Sequence, residues 1–288
     1  MGSGNRKMIA IALVAVLVVA VVAVVALSQN NNSASQTATV LDASGTNVTL
    51  SASPQRIVSC APDISEVVAA MGLADKLVAV TDYCDYPQEV KALRDAGKTI
   101  GGFYTPSYEK VISYNPDLVI VSNSVQTQTD MATQLRSSGY TVLIVNAATN
   151  ISMVYDTIDM IGKLVGLQSK ANDLVADMQS RINSVNAGIS GEDKPSIMFV
   201  TYAEAGFTNV WPAGGGTAIG EIIDLAGGDN VFAEMNGFEM ASEEVLKSKA
   251  STVDYIFMTI MYSPETPENT SAWFKSDSLW KESPAAKN

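Results

Sequence analysis

From Val40 onward the apolar positions fall into short β-branched runs separated by stretches of helical periodicity. Ile57–Ser59, Leu77–Val80, Leu118–Val121 and Val142–Val145 read as buried strands, with helices at Ile64–Met71, Tyr108–Tyr114 and Asp130–Ser137 between them. A second set follows: a strand at Ile197–Thr201, helices at Ala218–Leu225 and Glu243–Lys249, and a strand at Tyr255–Ile260. Strands that alternate with helices predict βαβ units, parallel sheets and an α/β fold. Between the sets, Ile151 to about Ala187 contains no proline. There Val154, Ile158, Ile161 and Val165, then Leu174, Met178, Ile182 and Val185, recur every three or four residues. That spacing predicts one long or slightly broken amphipathic helix, with Gly162 and Gly166 as weak points. Two α/β lobes joined by such a helix would leave a cleft between them.

The start of the chain has a different pattern. Met8 to Leu27 is an unbroken apolar run, preceded by Arg6 and Lys7 and followed by no Lys or Arg until Arg56. A run of this length spans a bilayer core, and the charge asymmetry puts the N-terminus in the cytoplasm and the rest outside. A retained anchor is the expectation and a cleaved signal the alternative. Gln29 to Ala38 is a polar tether. The expected organisation is a tail at 1–7, an anchor at 8–27, a tether at 28–39, a lobe at 40–150, a linking helix at 151–188 and a second lobe at 189–288.

The lobes share an internal pattern. Ile64-Ser-Glu66-Val-Val with Gly72 recurs as Ile219-Gly-Glu221-Ile-Ile with Gly227. Glu109-Lys-Val-Ile leading to Asp117-Leu-Val-Ile recurs as Glu243-Glu-Val-Leu leading to Asp254-Tyr-Ile-Phe. The common order points to a pseudo-two-fold pair of lobes.

Composition removes several kinds of chemistry. With 18 basic and 30 acidic residues the net charge is −12, and there is no histidine. Triads built on histidine and His-based metal sites are therefore excluded. The acidic balance argues against a nucleic-acid partner. No cofactor and no protein-ligated metal is expected. Cys60 and Cys84 follow strands expected to be neighbours in an oxidising exterior, where a disulfide and two separate thiols are both open.

Ligands of open parallel sheets sit beyond the carboxyl ends of the strands. The segments landing there carry Pro62 and Asp63, then Tyr83, then Phe103 and Tyr104; the second lobe offers Tyr202 and Trp211. Aromatics gathered on such loops suit a large, flat or ringed ligand. Gly214-Gly-Gly216 fits no phosphate-binding motif and reads as a turn letting backbone approach a ligand. Glu66 and Glu221 read as solvated helix residues. Glu109 and Glu243 each open a short helix at equivalent places in the repeat, and would form an acidic docking pair for a basic, two-fold partner.

Four ordered motifs resemble the cobalamin and ferric-siderophore binding proteins of ABC importers. They are Arg56-Ile-Val-Ser-Cys-Ala-Pro62, Thr81-Asp-Tyr-Cys-Asp-Tyr-Pro87, Tyr108-Glu-Lys-Val-Ile…Asn115-Pro-Asp-Leu-Val-Ile and Leu225-Ala-Gly-Gly-Asp-Asn-Val-Phe232. The resemblance implies two Rossmann-like lobes with parallel sheets on a long backbone helix. It implies capture of a metal-chelate ligand (a corrinoid, a ferric siderophore or haem) and delivery to an ABC permease dimer. It carries permease docking to Glu109 and Glu243 and ligand contact to Tyr83 and Phe103. Members of that family usually continue past a segment like Leu279–Lys287, so the second lobe is expected to be shortened. The functional expectation is a membrane-anchored extracellular solute-binding protein, not an enzyme. An extracellular sensor domain and a carboxylate-dependent hydrolase are the alternatives.

Overall fold

The computed structural model describes residues 38–204, 206–259 and 266–287. The expected tail and anchor and nearly all of the tether lie outside the described residues. Among the described residues no helix is long and apolar enough to cross a membrane. The chain divides into two compact units. The first comprises the stretch ending at Ala148 together with Ser152–Gln179; the second comprises Thr149–Ile151 together with the stretch from Ser180 onward.

The first unit opens with an antiparallel hairpin, β1 (Ala38–Leu41) and β2 (Asn47–Leu50). Its main sheet contains β3 (Ile57–Ser59), β4 (Leu77–Ala79), β5 (Leu118–Ser122) and β6 (Val142–Val145) in the order β4-β3-β5-β6, all parallel. The connecting helices are α1 (Pro62–Ala70), α2 (Gln88–Asp95), α3 (Tyr108–Ser113) and α4 (Gln126–Ser137). Both faces of the sheet are covered, which is why its strands read as continuous apolar runs. Ile57, Leu118, Ile120, Leu143 and Val145 pack on one side with Ile64 and Val68 of α1. Val58, Val119, Val121 and Ile144 pack on the other with Met131 and Leu135 of α4.

The long or slightly broken helix expected from the periodicity is two helices, α5 (Ile151–Leu164) and α6 (Gln168–Ile189), parted at the expected weak point Gly166. Gly166 sits between them at φ +76, a conformation that L side chains rarely adopt. Gly162 lies where a Cβ would collide with Ala171, so the two helices approach closely around the break. Ile158, Ile161, Leu164, Ala171 and Met178 join the core of the first unit.

The second unit has β7 (Ser196–Glu204), β8 (Thr208–Pro212), β9 (Asp229–Asn230) and β10 (Tyr255–Met258), with α7 (Ala218–Leu225), α8 (Glu243–Ala250), α9 (Pro267–Ser276) and α10 (Pro284–Lys287). Strands β9 and β10 pair with β7 in parallel, but β8 pairs with it antiparallel. The expectation of purely parallel sheets is thereby corrected for this unit. The segment Thr208–Pro212, read as loop, is an edge strand, and its terminal proline is tolerated at a sheet edge. Phe207 packs with Trp273, Phe274 and Trp280 in a cluster of edge-on and tilted rings. Two glycines of the triglycine, Gly214 and Gly215, are required by the chain's own backbone. Gly214 N–H donates to the Gly237 carbonyl (2.9 Å) and Gly215 N–H to that of Met235 (2.7 Å). Side chains at Gly214 and Gly215 would strike the backbone of residues 233–237.

The internal repeat has a geometric counterpart. In the first unit β3 pairs with β4 and β5, and in the second β7 pairs with β9 and β10, all in parallel. Gly72 and Gly227 follow their helices at φ +79 and +78. The Asp117 carboxylate accepts from the Gln55 and Arg56 amides (2.7 and 2.9 Å), and that of Asp254 accepts from the Ser196 amide (2.9 Å). The same acidic residue thus fixes the start of a central strand in each unit.

One buried carboxylate ties the hairpin to the sheet. Asp42 accepts from the Ser44, Thr46 and Ile144 amides and pairs with Arg136, whose guanidinium also reaches the Val142 carbonyl. Burial by itself would raise the pKa of Asp42, but these hydrogen bonds outweigh it and hold the carboxyl below its ordinary value. Its contribution is therefore present at neutral pH and lost as pH falls through that lowered value. Asp42→Ala leaves Arg136 without its carboxylate partner and is expected to cost about 3 kcal/mol, read as a shifted urea midpoint at pH 7 and a smaller shift at pH 3.

Candidate functional site

The carboxyl ends of the first unit's strands carry most of the candidate residues. Chain leaving β3 passes Cys60 and Ala61 into α1, with Pro62 as its first helical residue and Asp63 in its first turn. Chain leaving β4 forms the segment 80–87, which contains Tyr83. After α2 a short stretch runs beside β4, with Ile100 N–H donating to Val80 O (3.0 Å) and Asp82 N–H to Gly101 O (3.0 Å). It ends in the tight loop Gly101–Pro106. Gly101 has φ +103, and a Cβ there would lie 2.9 Å from the Thr105 carbonyl oxygen.

A buried amide fastens these loops together. Gln128 of α4 is fully buried. Its Oε1 accepts from the Ser122 amide at the end of β5 (2.9 Å), and its Nε2 donates to the carbonyls of Cys60 (3.0 Å) and Phe103 (2.9 Å). One side chain thereby joins three strand-end segments. Next to it, Thr127 Oγ1 donates to the Tyr104 carbonyl (2.7 Å). A second buried polar chain runs through Ser59, Ser65, Cys84 and Thr81, with contacts of 2.8, 3.4 and 3.2 Å. It holds the 81–84 segment against the start of α1.

Anchored in this way, the aromatic side chains stand outward. Tyr83 is 56% exposed and Tyr104 63% exposed, while Phe103 is half-buried and packs edge-on against Tyr104 with centroids 5.0 Å apart. The Tyr83 ring lies over Gly102, close enough that a Cβ there would sit 3.5 Å from it. Tyr83, Phe103 and Tyr104 thus belong to one surface, while Pro62 and Asp63 open the helix that leaves β3 at the same ends of the strands. In the second unit, Tyr202 and Trp211 are cross-strand partners on β7 and β8 and are 41% and 38% exposed.

The acids at this edge influence one another. Burial pushes the carboxyl of Glu66 up to about 7, with added repulsion from Asp63 and Asp85. Asp63 itself is open to solvent on one side, yet desolvation by the surrounding protein raises its pKa. The expectation that Glu66 is merely a solvated helix residue is corrected. So is that for Glu221, whose carboxylate accepts from the Ile151 amide (2.6 Å) at the start of α5.

Cys60 and Cys84, offered as a candidate disulfide, are both free and buried. Cys84 Sγ faces the hydroxyls of Thr81 and Ser65, and burial followed by the neighbouring Cys84 pushes the Cys60 thiol far up. Among the described residues no cluster of His, Cys, Asp or Glu is arranged to hold a metal ion.

Glu109 and Glu243 are exposed and begin helices capped by Ser107 and Ser242, whose hydroxyls accept from the Lys110 and Val245 amides. Counted from the caps, Glu109 occupies the second helical position, which in the second unit belongs to Glu244. Glu243 occupies the first position and pairs with Lys247.

Sequence reasoning missed Gln128, Ser65 and Thr81. The signal for Gln128 was present: it shares a helical face with Met131, Ala132 and Leu135, and a polar residue on an apolar face needs buried partners. For Glu66 the linkage is explicit. Its pKa is raised above the ordinary 4.5, so between about 4.5 and about 7 the folded chain holds a proton that the unfolded chain has lost. Stability therefore falls as pH rises through that window. Glu66→Gln is expected to remove this slope and to raise the melting temperature at pH 8 by about 2–4 °C; equal melting curves for both proteins at pH 5 and pH 8 would contradict it.

Known proteins bear on this arrangement. The family described as "Periplasmic binding protein" matches residues 57–288. A Bacillus subtilis protein named as an uncharacterized ABC transporter substrate-binding lipoprotein, YvrC, is 34% identical over 213 residues, covering 73% of this chain and 66% of that protein. A cobalamin-binding protein of Halobacterium salinarum is 31% identical over 214 residues, covering 72% of this chain and 55% of its own length. The chain thus spans less than two thirds of the length of these relatives. A possible iron-binding (periplasmic solute-binding) protein of Staphylococcus epidermidis superposes with a TM-score of 0.70 at 21% identity, over 82% of this chain and 88% of that one. The periplasmic vitamin B12 binding protein BtuF of Vibrio cholerae gives 0.61 at 22% identity, over 82% and 85%. At such identities the superpositions speak for the fold. The family match carries the assignment: the chain belongs to the periplasmic binding protein family and is no enzyme.

Proposed function

We propose that the chain is an extracellular solute-binding protein that captures a metal chelate of the corrinoid, ferric-siderophore or haem type and delivers it to an ABC permease. The observation that carries this reading is the pair of outward rings Tyr83 and Tyr104, with half-buried Phe103 packed edge-on against Tyr104, at the loop edge of the first unit. Flat aromatic faces give a ringed ligand large contact area at little entropic cost. Pro62 and Asp63 would border the ligand, and Tyr202 and Trp211 would offer a ligand-contacting ring pair on the second unit's own sheet. The metal would stay with its chelator, since this reading assigns it no protein ligand. A relative named as a cobalamin-binding protein and another named as a substrate-binding lipoprotein support the reading. The apolar run Met8–Leu27 would anchor the protein with its binding units outside the cell.

Titrating intrinsic tyrosine and tryptophan fluorescence with cobalamin, a ferric hydroxamate, a ferric catecholate and haem tests ligand capture. Saturable one-to-one binding of one class is expected, weakened roughly tenfold or more by Tyr83→Ala with Tyr104→Ala, as loss of an aromatic anchor costs about 1–3 kcal/mol. Absence of binding by every probe would contradict the proposal.

Docking would use Glu109 and Glu243 against basic permease residues; the cap register gives a specific reason to include Glu244. Charge reversal of Glu109 with Glu243, and separately of Glu109 with Glu244, is expected to abolish uptake while ligand affinity changes less than about twofold. The Glu244 pair should show the larger loss, because Glu243 is already engaged by Lys247. Parallel loss of ligand binding would instead put these residues in the fold or the ligand site.

A further inference from the structure

The exposed rings of the first unit sit in a field of one sign. Its strand-end segments, 60–66, 81–87, 101–107, 123–127 and 146–148, contain Asp63, Glu66, Asp82 and Asp85 and no Lys or Arg. Most basic side chains of that unit are engaged elsewhere, and Lys98 and Lys110 stand exposed outside these segments. Arg136 is committed to Asp42, Lys91 and Arg94 to Asp95, Lys170 to the Met71 carbonyl, and Arg56 to the Tyr114 and Asn115 carbonyls. The second unit has the same character independently. Tyr202 and Trp211 lie in a stretch with no Lys or Arg from Pro195 to Leu246, which does contain Glu204, Glu234 and Glu239.

Aromatic faces carry negative quadrupole potential and attract cations. Carboxylates beside them add to that attraction and repel anions, and like charges placed together act mainly by rejecting wrong partners. The upward shift of Glu66, to which Asp63 and Asp85 add, is consistent with a local field that no nearby cation cancels. An anionic chelate, such as haem with its two carboxylates or a ferric tris-catecholate, would meet no cation on these loops to neutralise it.

We infer that the aromatic loop surface selects metal chelates of neutral or positive charge, and that Asp63 and Asp85, both exposed on the strand-end segments that also carry Tyr83, set this preference against anionic chelates. The inference rests on the reading of the chain as a chelate-binding protein and narrows its ligand class. Neutral amide-bearing corrinoids and cationic ferric hydroxamates share the required chemistry.

The test uses the full chain in detergent, titrated at low ionic strength with cyanocobalamin, cationic ferrioxamine B, haemin and a ferric tris-catecholate. At least one of the first two is expected to bind tenfold or more tightly than either anionic probe. Asp63→Asn with Asp85→Asn is expected to shrink that ratio threefold or more. An anionic probe that binds as tightly as, or more tightly than, the other two overturns the inference and leaves chelate binding standing. A ratio unchanged in the double variant overturns the role of these two carboxylates. Binding of none of the four probes overturns the underlying function together with the selectivity.

Discussion

A parallel sheet ends in backbone that no neighbouring strand can satisfy, and the loops that leave it must find partners or face water. In the first unit this requirement is met by one carboxamide. Gln128 takes the amide of Ser122 and gives its two protons to Cys60 and Phe103, so three strand ends share a single buried residue. An amide is suited to this because it donates and accepts at once, whereas a carboxylate only accepts. The rigidity of the aromatic edge follows from it. Tyr104 can stand outward over half-buried Phe103 because the backbone of both is fastened inward, to Thr127 and Gln128.

The opposite edge of each sheet is organised by carboxylates. Asp117 and Asp254 cap the incoming central strand in the two units, and Asp42 binds the hairpin to β6. Acceptors at the amino ends of strands and a donor–acceptor at the carboxyl ends divide the work along the sheet. Asp42, Asp117 and Asp254 each accept from backbone amides. Asp63 and Asp85 stand exposed at the other edge.

Much of the fold was legible because it rests on local pattern. Ile57–Ser59, Val142–Val145 and Ala218–Leu225 have the ranges that their apolar runs predict, and the repeat of glycine and aspartate has matching backbone geometry. What failed depended on distant partners. The edge strand β8 ends in Pro212 and follows Gly206, both of which read as loop, and only its pairing with β7 makes it a strand. Helix α2 went unread because its only buried side chain is Val90. Gly214 and Gly215 looked made for a ligand because sequence cannot tell a foreign molecule from the chain's own residues 233–237. At the site, the aromatic residues were visible as types and positions. The amide and hydroxyls that hold them were not, since a buried Gln or Ser has no signature except an interruption in an apolar face.

The two thiols have a practical meaning. Cys60 and Cys84 are buried, and the proton of Cys60 is held so firmly that the reactive thiolate is scarce while the first unit is closed. Both sit where β3 and β4 give way to the loops that carry the rings, so an alkylating reagent can reach them only when that edge comes apart. The chain therefore contains its own chemical clock. The rate at which its sulfur is captured reports how often the binding edge opens, without any label having been introduced.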